Sequence, residues 1–268
     1  MSRIVTGLIL AIGWLLLLLV GSYPLFCLVI TAGSGVALYE FLRMSLSGSE
    51  YKLTFPVLML GVFPLLGASL WGTSGMTSSL FLAFIVLIIL TVVAFPTLDN
   101  GLGFVSRHWF GIFYIGFCGA HLILLRSLSN GIFWLLVLTA ITVFSDTAAY
   151  YVGRKLGTTK LYLALSPGKT RAGAIGGIIG GMVGGLVVAS IAFENANLVM
   201  VGLLSLFLSA IGIIGDLIES LIKRVSGVKD SGQILPGHGG LLDRCDSILL
   251  TAPVLYYVLY WGHAALLK

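Results

Sequence analysis

The side chains best suited to chemistry cluster late in this 268-residue chain. Asp216, Glu219, Ser220 and Lys223 recur at i, i+3, i+4 and i+7, so a helix would carry them on one face. Arg224 follows. Lys229 and Asp230 open a polar stretch that leads to Gly237-His238-Gly239-Gly240, and then come Asp243, Arg244 and Asp246. Nine of the chain's 25 Asp, Glu, Lys and Arg residues fall between 216 and 246, too dense a group for an ordinary surface. Upstream lie Asp146, flanked by Ser145 and Thr147, and Lys169-Thr170 at the end of a Ser-Pro-Gly-Lys-Thr run. Several carboxylates together offer the hard oxygen ligands that suit Mg²⁺, which also keeps waters and substrate phosphates. Cations neutralise phosphates, and glycines let backbone N–H groups crowd around an anion. Together these residues point to phosphoryl or nucleotidyl transfer, where a protein mainly positions groups and neutralises charge. The nucleophile would come from an amphiphilic substrate.

Plainer roles compete for several of these residues. Glu219 and Lys223 could form a helix-end ion pair. Asp243 or Asp246 alone could cap a helix N-terminus. His238 reads first as a loop residue held by hydrogen bonds and second as a ligand or acid/base. Arg154, Lys155 and Lys160 suit anionic lipid headgroups. Gly-Lys-Thr lacks the rest of a phosphate-loop motif. His108, His121 and His263 are isolated, and read as interfacial or core residues.

The elements that must position this cluster are membrane helices. The chain is 58% apolar and 9% charged, against roughly 25% charged in soluble domains, and its mean hydropathy is +1.09. The expected fold is all-α, a polytopic transmembrane bundle of about nine spans. They fall at about 4–20, 24–43, 53–71, 79–96, 109–127, 131–151, 172–193, 198–222 and 246–265. With the N-terminus cytoplasmic, 13 of the 15 Lys and Arg residues fall inside, as the positive-inside rule asks. Nothing in Ile4–Val20 reads as a cleaved leader. Residues 1–130 form an N-terminal helical region, and 131–268 a catalytic region with its signature at 216–247. Asp146 sits some fifteen residues into the sixth span, toward the inner side at ~1.5 Å per residue. That depth brings Asp146, Asp216, Asp243 and Asp246 level, with Asp243 and Asp246 as the expected direct metal ligands. Charges at that depth mark sites.

The seventh span carries Gly173, Gly177, Gly181 and Gly185 every four residues, with Gly176, Gly180 and Gly184 beside them. Such rows let helices approach closely, within one chain first and across a homodimer second. Cys27, Cys118 and Cys245 share no metal or redox spacing, and nothing suggests a nucleic-acid partner.

Ser220-x-x-Lys223-Arg224, Lys229-Asp230, Pro236-Gly237-His238-Gly239-Gly240 and Asp243-Arg244-x-Asp246 together resemble the signature of the CDP-diacylglycerol synthases, also called phosphatidate cytidylyltransferases. Asp146 and Ser166–Thr170 resemble two further segments of that family. The resemblance covers roughly 143–247. It departs at Arg171-Ala172, where the family carries an aromatic residue and then Glu. It implies the reaction of CTP with phosphatidic acid, at the cytoplasmic face of the cell's inner membrane, with Mg²⁺ and a monovalent cation such as K⁺. Asp146, Asp216, Asp243 and Asp246 would surround metal. Lys223, Arg224, Lys229 and Arg244 would neutralise phosphates. Lys169, Thr170, Ser220, Asp230, His238, Gly237, Gly239 and Gly240 would shape the substrate pocket. A related lipid cytidylyltransferase or lipid kinase is the first alternative, and an ion-coupled transporter the second. The transporter is disfavoured because the charges sit at one face and no inverted repeat is evident.

Overall fold

The computed structural model describes residues 2–45, 48–235, 237 and 239–266. Long apolar stretches fold as helices because a helix satisfies its own backbone polar groups in lipid. They are α1 (Ser2–Leu19), α2 (Tyr23–Ser45), α3 (Thr54–Ala94), α4 (Gly101–Gly111), α5 (Cys118–Ser127), α6 (Gly131–Leu156), α7 (Arg171–Ala192), α8 (Leu198–Val225) and α9 (Leu242–Leu266). A π-helical stretch, Ile112–Phe117, joins α4 to α5 in one run. Two short strands, β1 (Lys160–Tyr162) and β2 (Ser166–Thr170), pair antiparallel between α6 and α7. The sequence reads 152–171 as a plain loop. The hairpin supplies the backbone pairing that an open loop would leave to water.

Six described segments are long and apolar enough to cross a bilayer: Tyr23–Ser45, Glu50–Thr97, Gly101–Ser127, Gly131–Leu156, Arg171–Ala192 and Leu198–Val225. Their outward faces are apolar too, as at Val93, Val199 and Ile191. At ~1.5 Å per residue, the 41 residues of α3 would run about twice the thickness of a bilayer. The helix breaks at Trp71 and Gly72, and Gly72 has φ 63°, a left-handed value that glycine adopts without steric cost. The break falls between the expected spans 53–71 and 79–96.

The chain divides into two compact units. Unit 1 holds residues 1–127 together with 226–244, a segment the sequence groups with the C-terminal region. Its core includes Phe26, Leu38, Leu42, Leu65, Ile112 and Ile115. His108 and His121 are buried there, each with Nδ1 within hydrogen-bond distance of the carbonyl four residues back, 2.6 Å at Phe104 and 2.8 Å at Phe117.

Unit 2 holds 128–225 and 245–268. Its centre is α7, whose glycines accept the backbones of its neighbours. A Cβ on Gly173 would stand 2.9 Å from the Ala149 carbonyl oxygen, and one on Gly181 would stand 2.9 Å from that of Ile141. Gly180 lies against Ala148, and Gly185 against Ser205 of α8. Both glycine rows are therefore engaged within the unit, and a homodimer would have to use another face.

Candidate functional site

The acidic centre lies in unit 2. The last turns of α8 present Asp216, Glu219 and Lys223 on one face, as their spacing requires. The first turns of α9 bring Asp246 to them. Asp216, Glu219 and Asp246 each offer a carboxylate oxygen, and the three oxygens lie within 4.8 Å of one another. Gly215 makes the approach feasible, since a Cβ there would stand 2.6 Å from the Asp246 backbone oxygen. Asp146 of α6 is near enough to act on Asp246 through charge. Asp146 also lines a small cleft with Ser145, Ser209, Gly212 and Ser247.

Two lysines face this group. Lys169 Nζ lies 2.5 Å from Asp216 Oδ2, and Lys223 Nζ lies 2.5 Å from Glu219 Oε2. With Asp146, four carboxyl groups meet two ammonium groups here. A divalent cation would offset the acidic excess. The donors are all hard oxygens, so the set fits Mg²⁺ better than a softer metal.

The hairpin delivers Lys169. Thr170 ends β2 and caps α7, its Oγ1 accepting a hydrogen bond from the Gly173 N–H at 3.1 Å. Arg224 Nε donates to the Leu165 carbonyl at 3.2 Å, which ties the end of α8 to the turn of the hairpin. Arg224 thus holds backbone, and Ser220 stays half-buried on α8 beside Glu219. Where the resembled family carries an acidic residue, Arg171-Ala172 simply begin α7.

Unit 1 contains the glycine loop and the first turn of α9. Asp243 Oδ2 accepts from the backbone N–H groups of Ser231 (3.0 Å) and Gly240 (2.8 Å). Gly237 and Gly239 have φ of 76° and 82°, which turn the chain back so that Leu235 N–H donates to Gly239 O at 3.0 Å. Lys229, Asp230 and Arg244 are exposed. His238 and Pro236 lie outside the described residues, and so does the side chain of His263.

The sequence placed Asp243 with Asp246 as direct metal ligands. In the structure Asp243 Oδ2 accepts from loop backbone, and the carboxylates that gather within 4.8 Å are those of Asp216, Glu219 and Asp246. The spacing already put Glu219 on the right face, but its pairing with Lys223 made it look structural. Glu40 escaped notice altogether. It is 3% exposed in α2, and its carboxylate accepts from Leu241 N (3.1 Å), Leu242 N (2.9 Å) and Ser231 Oγ (3.3 Å). The available signal was a lone carboxylate inside an apolar span.

Residues 1–261 match the family model described as the cytidylyltransferase family. The chain is 38% identical over 269 residues, 96% of it and 97% of the relative, to a protein of Bacillus subtilis (strain 168) named phosphatidate cytidylyltransferase. A protein of the same name from Staphylococcus haemolyticus (strain JCSC1435) is 34% identical over 233 residues, covering 84% of this chain and 85% of the relative. Another from Brucella suis biovar 1 (strain 1330) is 44% identical over 147 residues, 54% of each chain.

Proposed function

This chain belongs to the cytidylyltransferase family, and from that premise we propose that it joins CTP to phosphatidic acid, giving CDP-diacylglycerol and pyrophosphate. It is an integral-membrane nucleotidyltransferase of phospholipid synthesis. The observation that carries the substrate reading is the meeting of Asp216, Glu219 and Asp246 with Lys169 and Lys223 in one unit. That group offers a divalent cation its oxygen ligands, and a cation held there would meet phosphate charge.

In the proposed reaction a phosphate oxygen of phosphatidic acid attacks the α-phosphorus of CTP. A new P–O bond forms, the bond to the β-phosphate bridging oxygen breaks, and its electron pair leaves with pyrophosphate. The attacking phosphate is already anionic, so no strong general base is needed. The difficulty is bringing two anions together, and cations and positioned N–H groups meet it. Asp216, Glu219 and Asp246, with Asp146 beside them, would hold Mg²⁺, which when bound neutralises phosphate charge. A monovalent ion such as K⁺ would be a second occupant of the same oxygen-rich centre. Lys169 and Lys223 fix the carboxylates and offset their charge. Thr170 and Arg224 hold the hairpin that carries Lys169. In unit 1, Lys229, Arg244, Asp230 and the glycines 237, 239 and 240 serve the phosphates of the nucleotide, and Asp243 sets the loop's shape.

The same reading adopts nine spans, a cytoplasmic N-terminus and a site facing the cytoplasm of the cell membrane. The 13-to-2 division of Lys and Arg supports it. The break in α3 and the apolar α1 and α9 are consistent with it. The test is labelled CTP with phosphatidic acid in detergent, with and without a chelator. A lipid-soluble cytidine product that needs divalent metal is the expected result. Absence of that product from folded protein, or labelled-ion uptake into vesicles without it, would overturn the proposal.

A further inference from the structure

We infer that Glu40 is a positioning residue for the glycine loop, acting from α2 on a segment some two hundred residues later in the chain. The residue is 3% exposed, and its carboxylate engages three donors on the loop and α9. Oε1 accepts from Leu241 N at 3.1 Å, and Oε2 accepts from Leu242 N at 2.9 Å and from Ser231 Oγ at 3.3 Å. The partners lie 191 to 202 residues away, and both ends of the contact belong to unit 1.

A buried carboxylate in an apolar helix is costly unless its charge is met. Here the meeting charge is the partly positive N-terminus of α9, whose first N–H groups lack partners within the helix. Glu40 therefore caps α9 from another helix. Asp243 closes the same loop from its own side through Ser231 N and Gly240 N. Ser231 is thus held twice, by its N–H and by its hydroxyl.

The glycines confirm how tight the fit is. A Cβ on Gly232 would stand 2.5 Å from Glu40 Oε1, and one on Gly240 would stand 2.6 Å from Glu40 Oε2. Those two glycines leave room for the carboxylate. Gly239, with φ 82°, lies against Asp243 instead. Glu40 also fills the anion position at the start of α9, so substrate phosphate does not bind there.

The expected role rests on the proposed CTP reaction, in which this loop serves the nucleotide. Glu40→Gln keeps the size but puts an NH₂ group where N–H and O–H donors converge, so at least one bond is lost. Two measurements on the full-length protein in detergent test it. Hydrogen exchange at the Leu241 and Leu242 amides should speed up roughly tenfold to a hundredfold, the range for losing a bond to a charged acceptor. KM for CTP should rise about tenfold, with KM for phosphatidic acid changing less than twofold. Ser231→Ala removes one of the three bonds and should shift both readouts in the same direction by less. It decides the matter if Glu40→Gln does not fold. Unchanged exchange overturns the inference. So does faster exchange with both KM values unchanged, because Glu40 would then be a helix cap and nothing more. If wild-type protein forms no cytidine lipid, the proposed reaction fails, while the exchange result still judges Glu40.

Discussion

Replacing Asp246 with asparagine should abolish turnover and yet raise the melting temperature of the cation-free protein. Asp216 and Glu219 each face a lysine, and Asp146 acts on Asp246 through charge. Asp246 therefore sits among like charges. Between like charges about 4 Å apart the repulsion runs from about 1 kcal/mol in water to about 4 kcal/mol at an effective dielectric of 20. Asp216 is partly open to solvent, which screens the group and leaves about 1.5–2 kcal/mol. Asparagine keeps the shape and can still accept the Ser247 N–H that reaches Asp246 Oδ1 at 2.7 Å. For a chain of this size about 1 kcal/mol moves the midpoint by ~2–4 °C, so Asp246→Asn should melt about 3–8 °C higher in chelator. Added Mg²⁺ should stabilise the wild type and barely move the variant. The assay is thermal unfolding of purified protein in detergent, with chelator or Mg²⁺, alongside CTP turnover. A variant that melts below wild type in chelator would refute the charge argument, and one that keeps near-normal turnover would refute the metal assignment.

Two further substitutions probe the supports of the site. Gly215→Ala would press a methyl onto the Asp246 carbonyl at 2.6 Å, and should cost about 1–3 kcal/mol with a larger proportional loss of turnover, read by melting and kcat together. Thr170→Ala removes the α7 cap and should destabilise by about 1 kcal/mol, while Lys169 loses its fixed position and kcat falls severalfold. If Thr170→Ala lowered stability and left kcat unchanged, the hairpin would not be positioning Lys169.

Much of the helical plan was legible because lipid leaves a chain few options. Long apolar runs must be helices, and the i, i+3, i+4, i+7 spacing by itself puts Asp216, Glu219 and Lys223 on one face. Asp146 was legible for a different reason: a carboxylate so far into a span demands a partner. What spacing could not supply was which of two neighbouring carboxylates turns which way. Asp243 and Asp246 share a helix face, yet one meets loop N–H groups and the other meets α8. Glu40 was hidden because its partners are two backbone amides and a serine hydroxyl, groups that carry no sequence mark. The hairpin was hidden because its three- and five-residue strands are too short for a periodic pattern.

The glycine rows of α7 bear on temperature. Between helices in lipid there is little hydrophobic drive, since the tails are as apolar as the side chains. The close contact of α6 and α7 therefore rests on dispersion between backbones rather than on water released. A water-driven core weakens on cooling through its heat-capacity change. This contact carries little of that change, so the seam behind the acidic centre should stay closed in the cold and loosen only on warming.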